Sequence, residues 1–230
     1  MGQVSSLTDV VLENRGDNFY SGRDGKSISK ITVHYQAGHQ EPESCAADWN
    51  SPEREASSNY IIGPTGRVGL YIPEEDHSWC SSSYENDTVA ITIEVSSDPD
   101  NSDNGSTTKI GEMDSAAYEK CILLCADICT RYGFKLYYTG DSSGTLTTHR
   151  MFTETSCPGK WFLSRIDDFV DAVNKKVESG VFAPDDYDDS YESVEEPPVY
   201  DYYLITSTSK QNQPGECGNK ITGSVYLGRW

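Results

Sequence analysis

Cationic side chains are scarce in this sequence. Only 18 Lys and Arg stand against 37 Asp and Glu, a formal charge of −19 over 230 residues. Nucleic-acid binding needs cations that displace the counterions of phosphate, so this balance argues against such a partner. The same charge repels anionic membranes and phosphate-rich polymers. Long apolar runs are missing too: nothing approaches the ~18 residues of a membrane span, so no membrane insertion is expected. The opening MGQVSSLTDVVLENRGDN lacks a basic segment leading into an apolar core. No signal peptide is therefore expected, and the chain reads as made in the cytoplasm. Gly2 and Ser6 match a short myristoylation pattern that matters only in a eukaryotic cell. Histidine is rarer still, with four residues at 34, 39, 77 and 149.

What is present is enough for one sizeable core. The length exceeds the ~100–150 residues of a common domain and needs no disulfide scaffold. Seven cysteines, an odd number, without a secretion signal read as reduced thiols. Cys121, Cys125 and Cys129 recur every four residues on one helical face. No histidine accompanies them, so they read as small core hydrophobes.

KITVHYQ (30–36) reads as a buried strand with His34 near its end, followed by a short helix around Cys45–Trp49. SSNYIIG and RVGLYI flank Pro64-Thr65-Gly66, a hairpin pattern. TVAITIEV (88–95) is the most strand-like run and carries one anomaly, Glu94, because burying an unpaired charge is costly. Residues 96–113 are polar; Asp100, Ser102, Asn104 and Gly105 echo a calcium loop, but Gly111 stands where its final carboxylate belongs, so a solvated loop is expected. A helix is expected from Ser115 to Tyr132, with Asp114 as N-cap and Gly133 as its stop. A strand at 145–148 and a second long helix ending at Gly180 follow. Beyond 181 the acidic, Tyr- and Pro-rich segment reads as a linker leading to two strand-like pieces, too small for a core of their own. Residues 1–180 are thus expected to form the domain and 181–230 an extension.

His34 at one strand end, His149 after another and Cys157 eight residues later have the types of a metal site. Catalytic zinc takes three N, S or O protein ligands and leaves one position open. By spacing alone, a surface histidine and a buried cysteine explain the same residues.

The words around these positions carry more. TVHYQAG, SSNYIIGPTGRVGLYIPEEDHSW, VAITIEV and THRMFTETSCPG together resemble the zinc-dependent N-acetylmuramoyl-L-alanine amidases, the family of phage amidase lysozymes and peptidoglycan recognition proteins. The resemblance spans about residues 28–178. It implies an α/β fold in which a mixed central sheet is flanked by helices. It also implies one zinc ion per chain and hydrolysis of the amide between N-acetylmuramic acid and L-alanine in peptidoglycan.

On the same resemblance, His34, His149 and Cys157 occupy the zinc-ligand positions, and Glu94 that of a catalytic glutamate. Other members use a tyrosine before the hairpin strand; here Ser58 stands there, and Tyr60 is expected to face the other side of its strand. Thr155 occupies a position held by Lys in many phage members and Thr in animal ones, and is expected to donate one neutral hydrogen bond to the developing oxyanion. Cys80 stands where histidine is common. Tyr35, Tyr60 and Trp79 are candidates for lining the substrate cleft, with core packing as the competing role. An active wall-degrading enzyme is the expected function, as a phage endolysin or bacterial lytic enzyme reaching the wall after release. A binding module of the same fold, or a cytoplasmic amidase recycling muropeptides, are the alternatives; binding-only members commonly lack the cysteine ligand.

Overall fold

The computed structural model describes residues 4–51, 53–99 and 111–180. The calcium-loop echo at 100–105 and the extension 181–230 lie outside the described residues. Along the chain run β1 (Val10–Val11), β2 (Phe19–Tyr20), β3 (Lys30–Tyr35), α1 (Pro42–Trp49), β4 (Tyr60–Ile62), β5 (Val68–Leu70), β6 (His77–Ser78), α2 (Tyr84–Val89), β7 (Ala90–Val95), α3 (Ser115–Tyr132), β8 (Leu146–Thr148), α4 (Lys160–Leu163) and α5 (Ile166–Ser179). Six strands form one sheet in the order β1-β5-β4-β7-β3-β8, while β2 and β6 pair separately. The β4–β5 hairpin is antiparallel. The pairs β3–β7, β3–β8, β4–β7 and β1–β5 are parallel, so the sheet is mixed, as expected. Among the described residues no helix is long and apolar enough to cross a membrane.

Strand alternation divides the sheet into two chemically different faces. Ile31, Val33 and Tyr35 of β3 and Ile91, Ile93 and Val95 of β7 join the main core with α3 and α5. Thr32, His34, Thr92 and Glu94 alternate with them and occupy the other face. There the hydroxyls are satisfied by one another and by amides: Thr32 Oγ1 lies 2.8 Å from Thr147 Oγ1, Asn86 Nδ2 donates to Thr32 Oγ1 at 2.9 Å, and Ser78 Oγ lies 2.6 Å from Thr92 Oγ1. A polar layer fixed in this way holds the strand ends in register.

The helices follow the apolar periodicity with two corrections. Gly133 closes α3 in the left-handed conformation at φ 73°, and Gly180 closes α5 at φ 68°. Asp114 precedes α3, but its carboxylate does not cap the helix. It accepts from Ser96 Oγ at 2.6 Å and meets His39 Nδ1 at 2.9 Å instead. The expected second long helix is broken between Leu163 and Ile166. Ser164 Oγ and the Arg165 guanidinium both donate to Trp161 O, at 2.8 and 3.1 Å. The Arg165 backbone N–H, displaced from that carbonyl, turns back to Phe162 O. Phe162, Ile166, Phe169 and Val173 still share the buried face.

One ion-pair network ties α3 to the loop after β5. Glu74 is 1 % exposed and receives two guanidinium bonds from Arg131, at 2.6 and 2.7 Å, besides the Tyr60 and Tyr132 hydroxyls. Removing one partner of a buried pair strands the other charge, at a cost of about 3–5 kcal/mol. Arg131→Met is therefore expected to lower unfolding free energy by that amount in denaturant titration.

Candidate metal centre and active site

The register of the parallel strands assembles the site. His34 is paired with Glu94 across β3 and β7, and Ile61 of β4 flanks Glu94 on its other side. Thr148 of β8 is paired with Val33, so the next residue, His149, falls beside His34. Parallel strands ending together place these side chains on one edge, where α/β sheets commonly bind ligands. His34 and His149 ring centroids are 4.9 Å apart. Cys157, delivered by the loop before α4, brings Sγ to 3.4 Å from His34 Nδ1. One ligand atom each from His34, His149 and Cys157 lie within 4.8 Å of one another.

The electrostatics suit metal ligation. Burial, and secondarily the neighbouring His149, holds His34 well below the usual imidazole range; burial lowers His149 too. Both rings are thus neutral and keep a lone pair for a metal. His34 is 1 % exposed and its Nε2 has no hydrogen-bond partner. Two neutral imidazoles and a thiol donor are the chemistry of zinc rather than of magnesium or calcium. The residues fit the ion.

Glu94 stands beside this set, half-buried, with Oε2 withdrawn from water and unpartnered. Desolvation raises its pKa to about 8, opposed by the charge of Arg54. A carboxylate tuned towards neutrality in a cleft has the properties of a general acid–base. Thr155 is half-buried and its Oγ1 accepts the Cys157 N–H at 3.3 Å, which leaves its hydroxyl proton available to donate. Ser82, at φ 62°, puts Oγ 3.3 Å from His149 Nε2; no spacing signal in the sequence pointed to it.

A family model described as N-acetylmuramoyl-L-alanine amidase matches residues 24–160. The chain belongs to that family. The match contains His34, Glu94, His149, Thr155 and Cys157. No curated protein matches the chain. Among solved structures, the Staphylococcus aureus hydrolase AmiA in complex with its ligand aligns at TM-score 0.56 and 18 % identity, over 80 % of this chain and 97 % of its own. The catalytic domain of XlyA aligns at 0.53 and 15 %, over 72 % and 99 %. The N-acetylmuramoyl-L-alanine amidase LysC from Clostridium intestinale URNW aligns at 0.51 and 14 %, over 72 % and 97 %. At such identities the likeness speaks for the fold.

Of the three cleft candidates, two take the competing role of core packing in this amidase sheet. Tyr35 and Tyr60 point with the apolar set towards α3, as the period of two requires. Tyr35 OH lies 2.8 Å from Ser156 Oγ, and Tyr60 OH donates to Glu74 Oε1 at 2.5 Å. Both are core residues, not cleft residues. Tyr60→Phe is expected to cost about 1–3 kcal/mol of stability through the unmet acceptor, with turnover unchanged; a crippled rate with unchanged stability would assign the chemistry to the tyrosine. Trp79 is half-buried and its ring lies 5.3 Å from that of Tyr20, beside the Cys80 turn. Cys121, Cys125 and Cys129 are buried in the core as expected. Burial pushes the Cys129 thiol up to about 12, as befits a thiol packed among apolar side chains.

Proposed function

We propose that this chain is a peptidoglycan hydrolase that cleaves the amide between N-acetylmuramic acid and L-alanine. The observation that carries the reading is the convergence of His34, His149 and Cys157 beside an unpartnered Glu94, all within the matched family region. His34, His149 and Cys157 would hold one zinc ion. When bound, that ion supplies a water of lowered pKa and polarises the scissile carbonyl. Glu94 accepts the proton of the attacking water and returns it to the alanine nitrogen as that bond breaks. Thr155 donates to the oxygen on which negative charge develops, and the polar layer of Thr32, Thr92 and Thr147 keeps the strand ends fixed.

The setting that fits is a phage endolysin or a bacterial wall-lytic enzyme, acting on the wall after release from the cytoplasm. One similar solved structure is a mutant endolysin from Bacillus subtilis, at 15 % identity and TM-score 0.53. The test is incubation of purified sacculi with the full chain, with and without chelator, and mass spectrometry of the products. New muramic lactyl carboxylates paired with free alanine amines, abolished by chelator and restored by zinc, are expected. Released reducing sugars would make it a glycosidase, and binding without release would make it a recognition module.

A further inference from the structure

A second set of donors shares His34. Ligand atoms of His34, Cys80 and Glu94 also lie within 4.8 Å of one another. Two members of the set carry buried polar atoms with no partner, His34 Nε2 and Glu94 Oε2. The third is a free thiol on a backbone held in place, since the Cys80 and Ser81 N–H groups both donate to Asp87 Oδ2, at 3.2 and 3.1 Å. Asp87 is itself 3 % exposed. The loop that carries Cys80 is thus anchored from below. An imidazole, a thiolate and a carboxylate are together neutral against a divalent cation, and the mixed N, S, O set favours zinc and cadmium over magnesium or calcium.

We propose that His34, Cys80 and Glu94 form a second, inhibitory position for a thiophilic divalent cation. Its consequence follows from which residues it uses. A cation held there engages Glu94, which removes the base of the proposed reaction; His34 serves both ions through its two ring nitrogens, Nδ1 beside Cys157 Sγ and the unpartnered Nε2. The inhibition rests on the amidase reading; the binding does not. Cys80 is the residue that creates the position, because without a thiol the remaining pair, His34 and Glu94, offers only two donors.

The experiment uses the full chain, stripped of metal and titrated with Zn²⁺ in equilibrium dialysis and with Co²⁺ followed by electronic absorption. The parent is expected to take up a second, weaker equivalent, and Cys80→Ala and Cys80→Ser to stop at one. In Cys157→Ser, Co²⁺ should still develop a thiolate charge-transfer band, and that band should vanish when Cys80→Ala is added. Excess Zn²⁺ should slow muropeptide hydrolysis by the parent by about a hundredfold or more, the scale of losing a positioned base, while the two Cys80 variants lose that sensitivity. Saturation of the parent at one equivalent, or a Co²⁺ thiolate band in Cys157→Ser that survives removal of Cys80, overturns the second position even if the protein is an active amidase. Two Cys80-dependent equivalents in a protein that cleaves nothing uphold the position and overturn the amidase reading instead.

Discussion

Glu94→Gln is expected to slow amide hydrolysis by about 10²–10⁴, equivalent to roughly 3–5 kcal/mol of barrier, with the zinc equivalent of His34, His149 and Cys157 retained. Glutamine keeps the size and much of the hydrogen bonding of the side chain but cannot take a proton from water. The competing account is that Glu94 merely answers the charge of Arg54, the one cation among the described residues that acts on it. A contact of that kind is usually worth under ~1 kcal/mol, and losing it would leave turnover close to the parent. Turnover near the parent value at equal zinc would therefore remove Glu94 from the chemistry. The same substitution should move stability the other way in metal-free protein. Between its ordinary value of 4.5 and about 8, the folded carboxyl holds a proton that the unfolded one has released. Stability of the parent therefore falls as pH rises through that window, at up to about 1.4 kcal/mol per unit. Glutamine does not ionise, so the variant should be the more stable protein above pH 8, by a few kcal/mol in denaturant titration. A variant slower in catalysis and tougher in folding is the signature of a group placed for chemistry rather than for structure.

Much of this site is legible in the sequence because strand alternation is. In KITVHY and AITIEV the apolar residues fall at every second position, and the residues left over include His34 and Glu94. The sequence alone does not pair the two strands; the parallel register His34–Glu94 is what puts the imidazole and the carboxylate side by side on one face. The same alternation places Tyr60 on the core side, which the sequence already suggested, and Tyr35 with it. Two further features were beyond that reach. The break at Ser164–Arg165 depends on two side chains taking one carbonyl, a competition that apolar periodicity does not register. The convergence of Cys80 on Glu94 and His34 depends on Asp87 holding a turn by its backbone N–H groups, and nothing in the spacing of Cys80 and Glu94, fourteen residues apart in sequence, signals it.

Cys157→Ser is expected to weaken zinc binding by more than the about 10–100-fold typical of losing an outer partner, because here a direct ligand is lost. A serine hydroxyl near neutral pH is neither an anion nor a soft donor, and two neutral imidazoles alone hold zinc poorly. Hydrolysis should fall in parallel with metal content measured by elemental analysis. Cys125→Ser is the matched control. Its thiol is fully buried, with Sγ 4.0 Å from that of Cys121, so a serine there buries a poorly matched hydroxyl. That variant should lose stability and keep its zinc. The two thiols thus separate by readout, one in metal affinity and the other in unfolding free energy. Full zinc content and full activity in Cys157→Ser would dissolve the metal centre drawn from His34, His149 and Cys157. Residual zinc without hydrolysis has a different meaning, because His34, Cys80 and Glu94 can still hold an ion. Such an ion would engage the base, and adding Cys80→Ala should then release it.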